Sequence, residues 1–212
     1  MPRNKTKKVI LTLGLAVALA AGGVVTASNM GFKFVKNYTA VDPQLNTLSI
    51  PYFQSQFATT RDLFNDLGLN AKQVCRLNPL GGRTCWLGDG AGSPPPLAIV
   101  PGQGYQVGVS PATTQVIVGS HDPALNIGAT FLLPDPALYL TGMPYHTTYV
   151  TTRDIFNDIP GAKQVCRLIP AGGRTCWLGD GAGSPPPVTV VIGDSYAIAV
   201  TPAGPTWIPD HY

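Results

Sequence analysis

The chain has 212 residues, of which only 12% are charged, with fourteen Lys and Arg against eleven Asp and no Glu. Four of the basic residues lie within the first eight positions, and the other ten against eleven aspartates leave the rest of the chain with a net charge of about −1. That balance provides no basic patch and excludes nucleic acid and anionic lipid as expected partners, while 24 Gly and 21 Pro are typical of a turn-rich β protein.

Residues 1–27 have the pattern of a secretory signal peptide. Four basic side chains precede an apolar run from Val9 to Val25, and small residues follow up to Ala27. A run of 17 residues is short for a membrane anchor, so we expect cleavage after Ala27 and contact with a membrane only before that cleavage. The sequence therefore predicts a secreted protein that is extracellular or held at the cell surface.

Two segments of the chain are nearly the same. Residues 60–96 and 152–187 are identical at 30 of 36 paired positions when one gap is allowed. Weaker correspondences outside these segments extend each copy to about 90 residues. The sequence therefore predicts two tandem domains of one fold, residues 28–121 and 122–212, each near the lower size limit for a hydrophobic core.

Each predicted domain opens with a strand. Alternation places Phe32, Phe34 and Tyr38 on one face in the first copy, and Leu125 and Ile127 mark the equivalent strand in the second. Cleavage of the signal would leave the first of these strands tethered only at its C-terminal side. We therefore expect it to be able to pair with the sheet of a neighbouring molecule, which is a route to self-association.

A second strand then leads into the only helix predicted for each domain. Thr59 with Asp62, and Thr151 with Asp154, have the spacing of a capping box, and apolar side chains follow at helical spacing. Two turns of helix are too short to be stable alone, so we expect the helix to pack on a sheet.

The rest of each copy has the sequence pattern of β-strands. A hairpin with the sequences AKQVCRL and RTCWLG is followed by a loop with three prolines. Alternating segments then begin at residues 97, 104 and 114 in the first copy and at residues 188, 195 and 206 in the second. The expected fold class is mainly β, with two tandem small domains like β-sandwiches or barrels. Each has one short α-helix and a disulfide-stapled hairpin.

The four cysteines fit this hairpin. With a loop from Asn78 to Gly82, cross-strand counting places Cys75 opposite Cys85, and the same count places Cys166 opposite Cys176. A Cys₄ zinc site is the alternative, but closely spaced pairs such as CxxC do not occur. We therefore predict two disulfides within hairpins and no metal site.

A possible ligand set accompanies each hairpin. A tryptophan follows the second cysteine on the opposite face of its strand, where it could stack on a sugar ring or cover the core instead. An arginine and an aspartate lie nearby in sequence in both copies. The candidate ligand-binding residues are Trp86, Arg83 and Asp89 in the first copy, and Trp177, Arg174 and Asp180 in the second.

The sequence offers no catalytic set. His121, His146 and His211 do not occupy equivalent positions in the two copies, and the serines lack a GxSxG elbow. Asp89 and Asp180 supply one carboxylate per loop, which is too few for a strong calcium site. We therefore expect a protein that is not an enzyme and that uses no cofactor.

The phrases LSIPY, TRDLFNDLG, VCRL and PGQGYQVGV, taken together, resemble a repeat of secreted and cell-surface proteins of Gram-negative bacteria. In that repeat, LSxPY is followed by a short helix and by a strand with GxGYxVxV. The resemblance spans nearly all of the chain beyond the signal and implies a fold and an exported location. It implies no activity and carries over no catalytic residue.

These observations lead to two hypotheses of function. The first is an extracellular structural or surface-interaction protein, a subunit of a filament or matrix that assembles by β-strand pairing. The alternative is a bivalent carbohydrate-binding module, in which two sites on one chain gain by avidity and polysaccharide is the partner.

Overall fold

The computed structural model describes residues 31–40, 45–51, 53–54, 56–89, 92–120, 128–170, 172–181 and 183–210. The expected signal peptide lies outside the described residues, as do Leu125 and Ile127. The fold is mainly β, as the sequence predicted, and consists of two similar units formed by the two sequence copies.

The described residues of each unit form six strands and one short α-helix in the same order along the chain. The first unit comprises β1 (Gly31–Tyr38), β2 (Asn46–Ser49), α1 (Thr60–Asp66), β3 (Ala71–Leu77), β4 (Arg83–Trp86), β5 (Gly104–Val109) and β6 (Thr113–Ser120), with a 3-10 turn at Gly68–Asn70. The second comprises β7 (Ala129–Thr130), β8 (Tyr139–Gly142), α2 (Thr152–Asp158), β9 (Ala162–Leu168), β10 (Arg174–Trp177), β11 (Ser195–Val200) and β12 (Thr206–Trp207).

The strands of each unit form one four-stranded and one two-stranded antiparallel sheet. The larger sheets have the orders β2-β5-β3-β4 and β8-β11-β9-β10, so the two copies share one topology. The smaller sheets pair the first strand of each unit with the last, β1 with β6 and β7 with β12. The β1–β6 pair is the longer of the two, with eight residues matched on each strand.

The helix of each unit begins at the predicted capping box. The Asp62 carboxylate accepts hydrogen bonds from the Thr59 backbone and hydroxyl at 2.8 and 2.9 Å, and Asp154 does the same for Thr151 at 2.7 and 3.0 Å. Leu63 of α1 is fully buried against the sheet. A seven-residue helix is therefore held by packing, as its length requires.

The core of the first unit lies between its four-stranded sheet on one side and α1 with the β1–β6 pair on the other. Val74 of β3, Val107 of β5 and Ile117 of β6 are completely buried within it. The opposite face of the sheets carries the disulfides. On that face Leu140, Cys166 and Ala197 form a small cluster that Leu77 of the first unit joins.

Both predicted disulfides are present. Cys75 lies directly opposite Cys85 and is bonded to it, and Cys166 is bonded to Cys176 in the same register. Each bridge connects neighbouring strands of one hairpin, so no disulfide links the two units. The cross-strand count from the sequence therefore located the hairpin loop correctly.

The segments at 97–100 and 188–192 were predicted as strands, and this is wrong: each contributes only an isolated bridge, at Ala98 and at Thr189. The chain here pairs with the residues just before the helix instead, since Thr60 N donates to Leu97 O at 2.8 Å and Ile99 N donates to Ala58 O at 2.9 Å. The three prolines that precede the segment cannot donate to a ladder, which prevents a longer strand.

The two units meet through reciprocal backbone hydrogen bonds. Ser49 N donates to Gly193 O, and Gly142 N donates to Gly102 O, both at 2.8 Å. Ser49 corresponds to Gly142 in the repeat, and Gly102 corresponds to Gly193, so each unit makes the same contact with the other.

This contact depends on small residues. A Cβ added at Gly142 would lie 2.1 Å from the Ser49 Cβ, and one added at Gly104 would lie 2.6 Å from the Ser195 Cβ. The serine hydroxyls also cross the contact, since Ser49 Oγ donates to Asp194 O at 3.1 Å and Ser195 Oγ donates to Leu48 O at 2.7 Å. The backbones approach as closely as they do because glycine faces serine in both places.

Replacing Cys75 and Cys85 together by serine should lower the free energy of unfolding by about 2–3 kcal/mol, because the unfolded chain regains the entropy of an open loop. The Cys166 and Cys176 pair closes a loop of equal length and should give an equal loss. Equilibrium denaturation measures both. Non-reducing peptide mapping of the unaltered protein should find each bridge inside its own hairpin, and a bridge between the units would contradict this structure.

Gly142→Ala should lower the free energy of unfolding by about 1–3 kcal/mol, because the methyl group overlaps Ser49. Gly181→Ala is the matched control, since Gly181 has no positive φ and nothing lies within 4 Å of its added Cβ. Combining Gly142→Ala with Ser49→Gly should restore most of the lost stability. Equal losses for Gly142→Ala and Gly181→Ala in denaturation experiments would contradict the interface.

Candidate functional site

The two candidate sugar-stacking tryptophans are buried. Trp86 and Trp177 are each 7% exposed, on the face of the hairpin opposite the disulfide. The indole Nε1 atoms of both are buried without a hydrogen-bond partner among the described residues. In this conformation neither ring presents an open face to a sugar, and both cover the sheet.

The other members of the candidate ligand set do not join the tryptophans. Arg83 is exposed and lies two positions from Cys85, on the disulfide face of β4, whereas Trp86 lies on the other face. Asp89 is paired with Arg61 at 3.1 Å, and its side chain is 59% exposed. In the first unit the three side chains therefore do not converge on one surface.

The second unit repeats this arrangement. Arg174 occupies the position of Arg83 on the exposed end of its strand, and Asp180 is paired with Arg153 at 3.1 Å. The cation that lies over the Trp177 ring is the Arg153 guanidinium, 5.9 Å from the ring centroid, and not that of Arg174. Neither copy brings the candidate ligand set together.

The carboxylates of the helices have structural partners. Hydrogen bonds from Thr59 hold the pKa of Asp62 below its usual value. Burial acts to raise the pKa of Asp154, but the hydrogen bonds from Thr151 and Val150 outweigh it and the net shift is downward. These groups cap the helices.

The aspartates at the ends of the helices accept hydrogen bonds from the core. Asp66 accepts from Gln115 Nε2 at 2.7 Å, and Asp158 accepts from Tyr149 at 2.5 Å and from the Trp207 indole at 2.6 Å. Burial raises the pKa of Tyr149, and its bond to Asp158 raises it further. These hydrogen bonds connect each helix to the two-stranded sheet of its unit.

His146 is the only one of the three histidines that lies in the described part of the chain. Its ring centroid is 5.0 Å from those of Phe32 and Tyr145, with which it forms edge-on contacts. Among the described residues, no three His, Cys, Asp or Glu side chains come close enough together to hold a metal ion.

A cleft of about 440 Å³ lies between the two copies. Two linked ion pairs with largely buried side chains line it. Lys36 Nζ of β1 is paired with Asp194 Oδ1, and Arg167 of β9 donates to Asp194 Oδ2 from Nη2 at 2.8 Å and from Nε at 3.1 Å. The side chains of Lys36 and Asp194 are only 12% and 9% exposed. The described lining thus carries two positive charges and one negative charge.

The rest of the lining of this cleft contains both polar and apolar residues. Three threonines, an asparagine pair and four apolar residues contribute to it: Thr39, Thr47, Thr175, Asn37, Asn46, Leu168, Ile169, Pro170 and Val188. Asn46 is engaged internally, since its side chain bonds to Thr39 and to the Val107 carbonyl.

An equivalent cleft of about 360 Å³ exists on the other side of the contact, but its charges differ. Arg76 corresponds to Arg167, while Gln103 replaces Asp194 and Ala129 of β7 stands in the strand position of Lys36. Only one of the two clefts therefore has the lysine, arginine and aspartate together.

Sequence reasoning missed this cluster, although two signals for it were present. Lys36 lies on the same face of β1 as Phe32, Phe34 and Tyr38. The alternation predicts an apolar residue at this position, so a lysine there is unusual. Asp194 replaces a neutral Gln103 between otherwise similar phrases of the two copies.

The candidate assembly strand is packed against its own chain on one face. Phe32, Phe34 and Tyr38 point inward, as predicted, and a Cβ on Gly193 of the second unit would lie 1.9 Å from the Phe34 ring. Phe32 packs against Tyr145, with ring centroids 4.7 Å apart. β1 therefore contributes to both units and is not loosely held.

The outer edge of β1 is unpaired in the described structure. β1 pairs only with β6, and Val118 N and Ser120 N of β6 donate away from β1, to Gln56 and Phe53. Lys33 lies opposite Val118 and Val35 opposite Val116, so both β1 residues occupy non-hydrogen-bonded positions and direct their N–H and C=O groups outward.

The outward face of the same sheet is apolar. Val35 is 47% exposed, and beside it on β6 Val116 and Val118 are 42% and 48% exposed. An eight-residue edge with open backbone groups and exposed valines is the kind of strand that pairs with another chain.

No helix among the described residues has the length and hydrophobicity to cross a membrane. Comparison with protein-family models, with curated proteins and with solved structures gave no match. The resemblance of the LSxPY and GxGYxVxV phrases to a bacterial cell-surface repeat stays a hypothesis from sequence motifs.

Trp86→Ala should lower the free energy of unfolding by about 3–5 kcal/mol, because a buried indole is removed from the sheet. Leu87→Ala is the matched control: Leu87 is the next residue and is 55% exposed, so its loss should cost no more than about 0.5 kcal/mol. Urea denaturation measures both. A Trp86→Ala protein that kept full stability but lost retention on insoluble polysaccharide would instead favour the sugar-stacking role.

Proposed function

We propose that this chain is an extracellular structural or surface-interaction protein, a filament or matrix subunit that self-associates by β-strand pairing at the outer edge of β1. The observation that carries the proposal is the outer edge of β1, where Lys33 and Val35 direct backbone groups that pair with no strand among the described residues, beside the exposed valines Val35, Val116 and Val118. Its backbone donors and acceptors are satisfied when a second strand is added.

Edge addition fits the structure better than exchange of the whole strand. Releasing β1 would expose Phe34 and Tyr38, break the Lys36 to Asp194 pair and open eight paired positions with β6. Pairing a second β1 onto the free edge breaks none of these contacts. Two copies of β1 in antiparallel register would form the sheet β6-β1-β1-β6, with valines continuing across its outer face.

The other features of the chain agree with an extracellular role. Each unit is stapled by a disulfide, which persists in oxidising compartments. Four of the nine aspartates that the structure describes are capping groups or hydrogen-bond acceptors for the core. The carbohydrate-binding alternative loses its main support because Trp86 and Trp177 are buried.

Val35→Pro tests the edge directly. Proline removes the outward N–H of Val35 without removing a hydrogen bond between β1 and β6, so the variant should fold but lose self-association. Val35→Thr is the matched control, because it keeps the N–H and the β-branched shape and should still associate. Sedimentation velocity over a range of concentrations, with electron microscopy of the concentrated protein, reads out the result.

Two outcomes would overturn the proposal. One is that the protein lacking residues 1–27 and otherwise unaltered stays monomeric at every concentration. The other is that Val35→Pro associates as strongly as Val35→Thr. Thermal denaturation of both variants shows whether a loss of association reflects the edge or the fold.

A further inference from the structure

We propose that the cleft formed by Lys36, Arg167 and Asp194 binds a small hydroxylated carboxylate of the sugar-acid type. This site is distinct from the β1 edge, and the proposal does not depend on self-association. Its volume, about 440 Å³, is within the usual range for sites that hold small ligands.

The charge of the described lining selects a monoanion. Lys36 and Arg167 provide two positive charges and Asp194 one negative charge, so one positive charge is left uncompensated. Lys36 and Asp194 are nearly buried, so water and salt screen this surplus less than on an open surface. A carboxylate would balance the surplus, whereas a dianionic phosphate would leave one negative charge unpaired.

Arg167 has a donor that its aspartate partner does not use. Its Nε and Nη2 atoms both donate to Asp194 Oδ2, so the guanidinium is fixed in direction while Nη1 is not engaged by that carboxylate. The Arg167 side chain is 35% exposed, so a ligand in the cleft can reach it. An N–H of a fixed guanidinium is a strong donor to a carboxylate oxygen.

The remaining walls suit a hydroxylated carbon skeleton. Thr39, Thr47 and Thr175 line the cleft, and a threonine hydroxyl can both donate to and accept from a ligand hydroxyl. The Thr39 hydroxyl already donates to Asn46 Oδ1 at 3.0 Å and can still accept a hydrogen bond. Pro170 and Val188 supply apolar surface for the C–H face of a sugar ring. A ligand with one carboxylate, several hydroxyls and one apolar face matches these groups.

The second cleft provides an internal comparison. It has Arg76 in place of Arg167, but Gln103 and Ala129 stand where the first cleft has Asp194 and Lys36. Among the described residues no aspartate is paired with Arg76, and the described lining of this cleft has no lysine. We expect one sugar-acid site per chain and not two.

The experiment titrates the protein without residues 1–27 with D-glucuronate, and with glucose and inorganic phosphate as comparison probes, by isothermal calorimetry and NMR chemical shifts. Glucuronate should bind saturably, perturb residues of the Lys36 cleft, and bind at least about tenfold more tightly than glucose or phosphate. No saturable binding of glucuronate, equal binding of glucose, or tighter binding of phosphate would overturn the proposal.

Two substitutions at equivalent positions locate the site. Arg167→Gln should weaken glucuronate binding by about tenfold or more, whereas Arg76→Gln should leave it unchanged within about twofold. Equal effects of both would overturn the assignment of the cleft. Both variants keep the hairpin sequence around them, so their thermal stabilities can be compared directly.

Asp194→Asn separates a binding role from a structural one. If the aspartate only ties β1 to the second unit, its loss should lower stability and leave the preference for glucuronate over inorganic phosphate unaltered. In a ligand site its loss raises the surplus positive charge from one to two, so the ratio of glucuronate affinity to phosphate affinity should fall by at least about threefold in the folded variant. An Asp194→Asn protein that is folded and keeps the glucuronate preference of the unaltered protein would contradict the proposal.

Discussion

The close approach of the two copies at Ser49, Gly142, Gly104 and Ser195 constrains the rest of the structure. Each copy places a serine side chain over a glycine of the other, and the backbones come near enough to exchange hydrogen bonds. The contact covers β2 and β8, which are the terminal strands of the two larger sheets. Two sheet edges thus lie against the other copy, whereas the outer edge of β1 pairs with no strand in the described part of the chain.

The same contact creates the difference between the two clefts. Approach of the copies brings β1 over Gly193 and carries Lys36 to Asp194 of the second unit. On the other side the two-residue strand β7 has Ala129 at the position of Lys36, so the described residues there form no equivalent charge pair. The backbone arrangement is nearly symmetric, but of the two described clefts only one has lysine, arginine and aspartate together, because the side chains at equivalent positions differ between the copies.

Local features of the fold could be predicted from the sequence. The capping boxes at Thr59 and Thr151 and the disulfide pairing across each hairpin depend on residues within about ten positions, where spacing determines geometry. The alternation of β1 also placed Phe32 and Phe34 on its inner face.

Features that depend on distant residues could not be predicted in this way. Lys36 and Asp194 are 158 positions apart, and no spacing rule connects them. Alternation placed Trp86 opposite the disulfide but could not determine which face of the hairpin is covered by the core. Apolar and other residues alternate in the segments 97–100 and 188–192 as they do in strands. These segments nevertheless bond to the residues just before each helix and join neither sheet.

The exchanged serines and glycines also make the copies non-interchangeable as partners. Two first copies would bring serine against serine at position 49 and leave a void between two glycines at position 104, and two second copies would reverse the problem. All four of these positions lie outside the nearly identical segments 60–96 and 152–187. Gene conversion confined to those segments would therefore keep each serine facing a glycine. Replacement of one whole copy by the other would instead give a chain in which serine faces serine and glycine faces glycine.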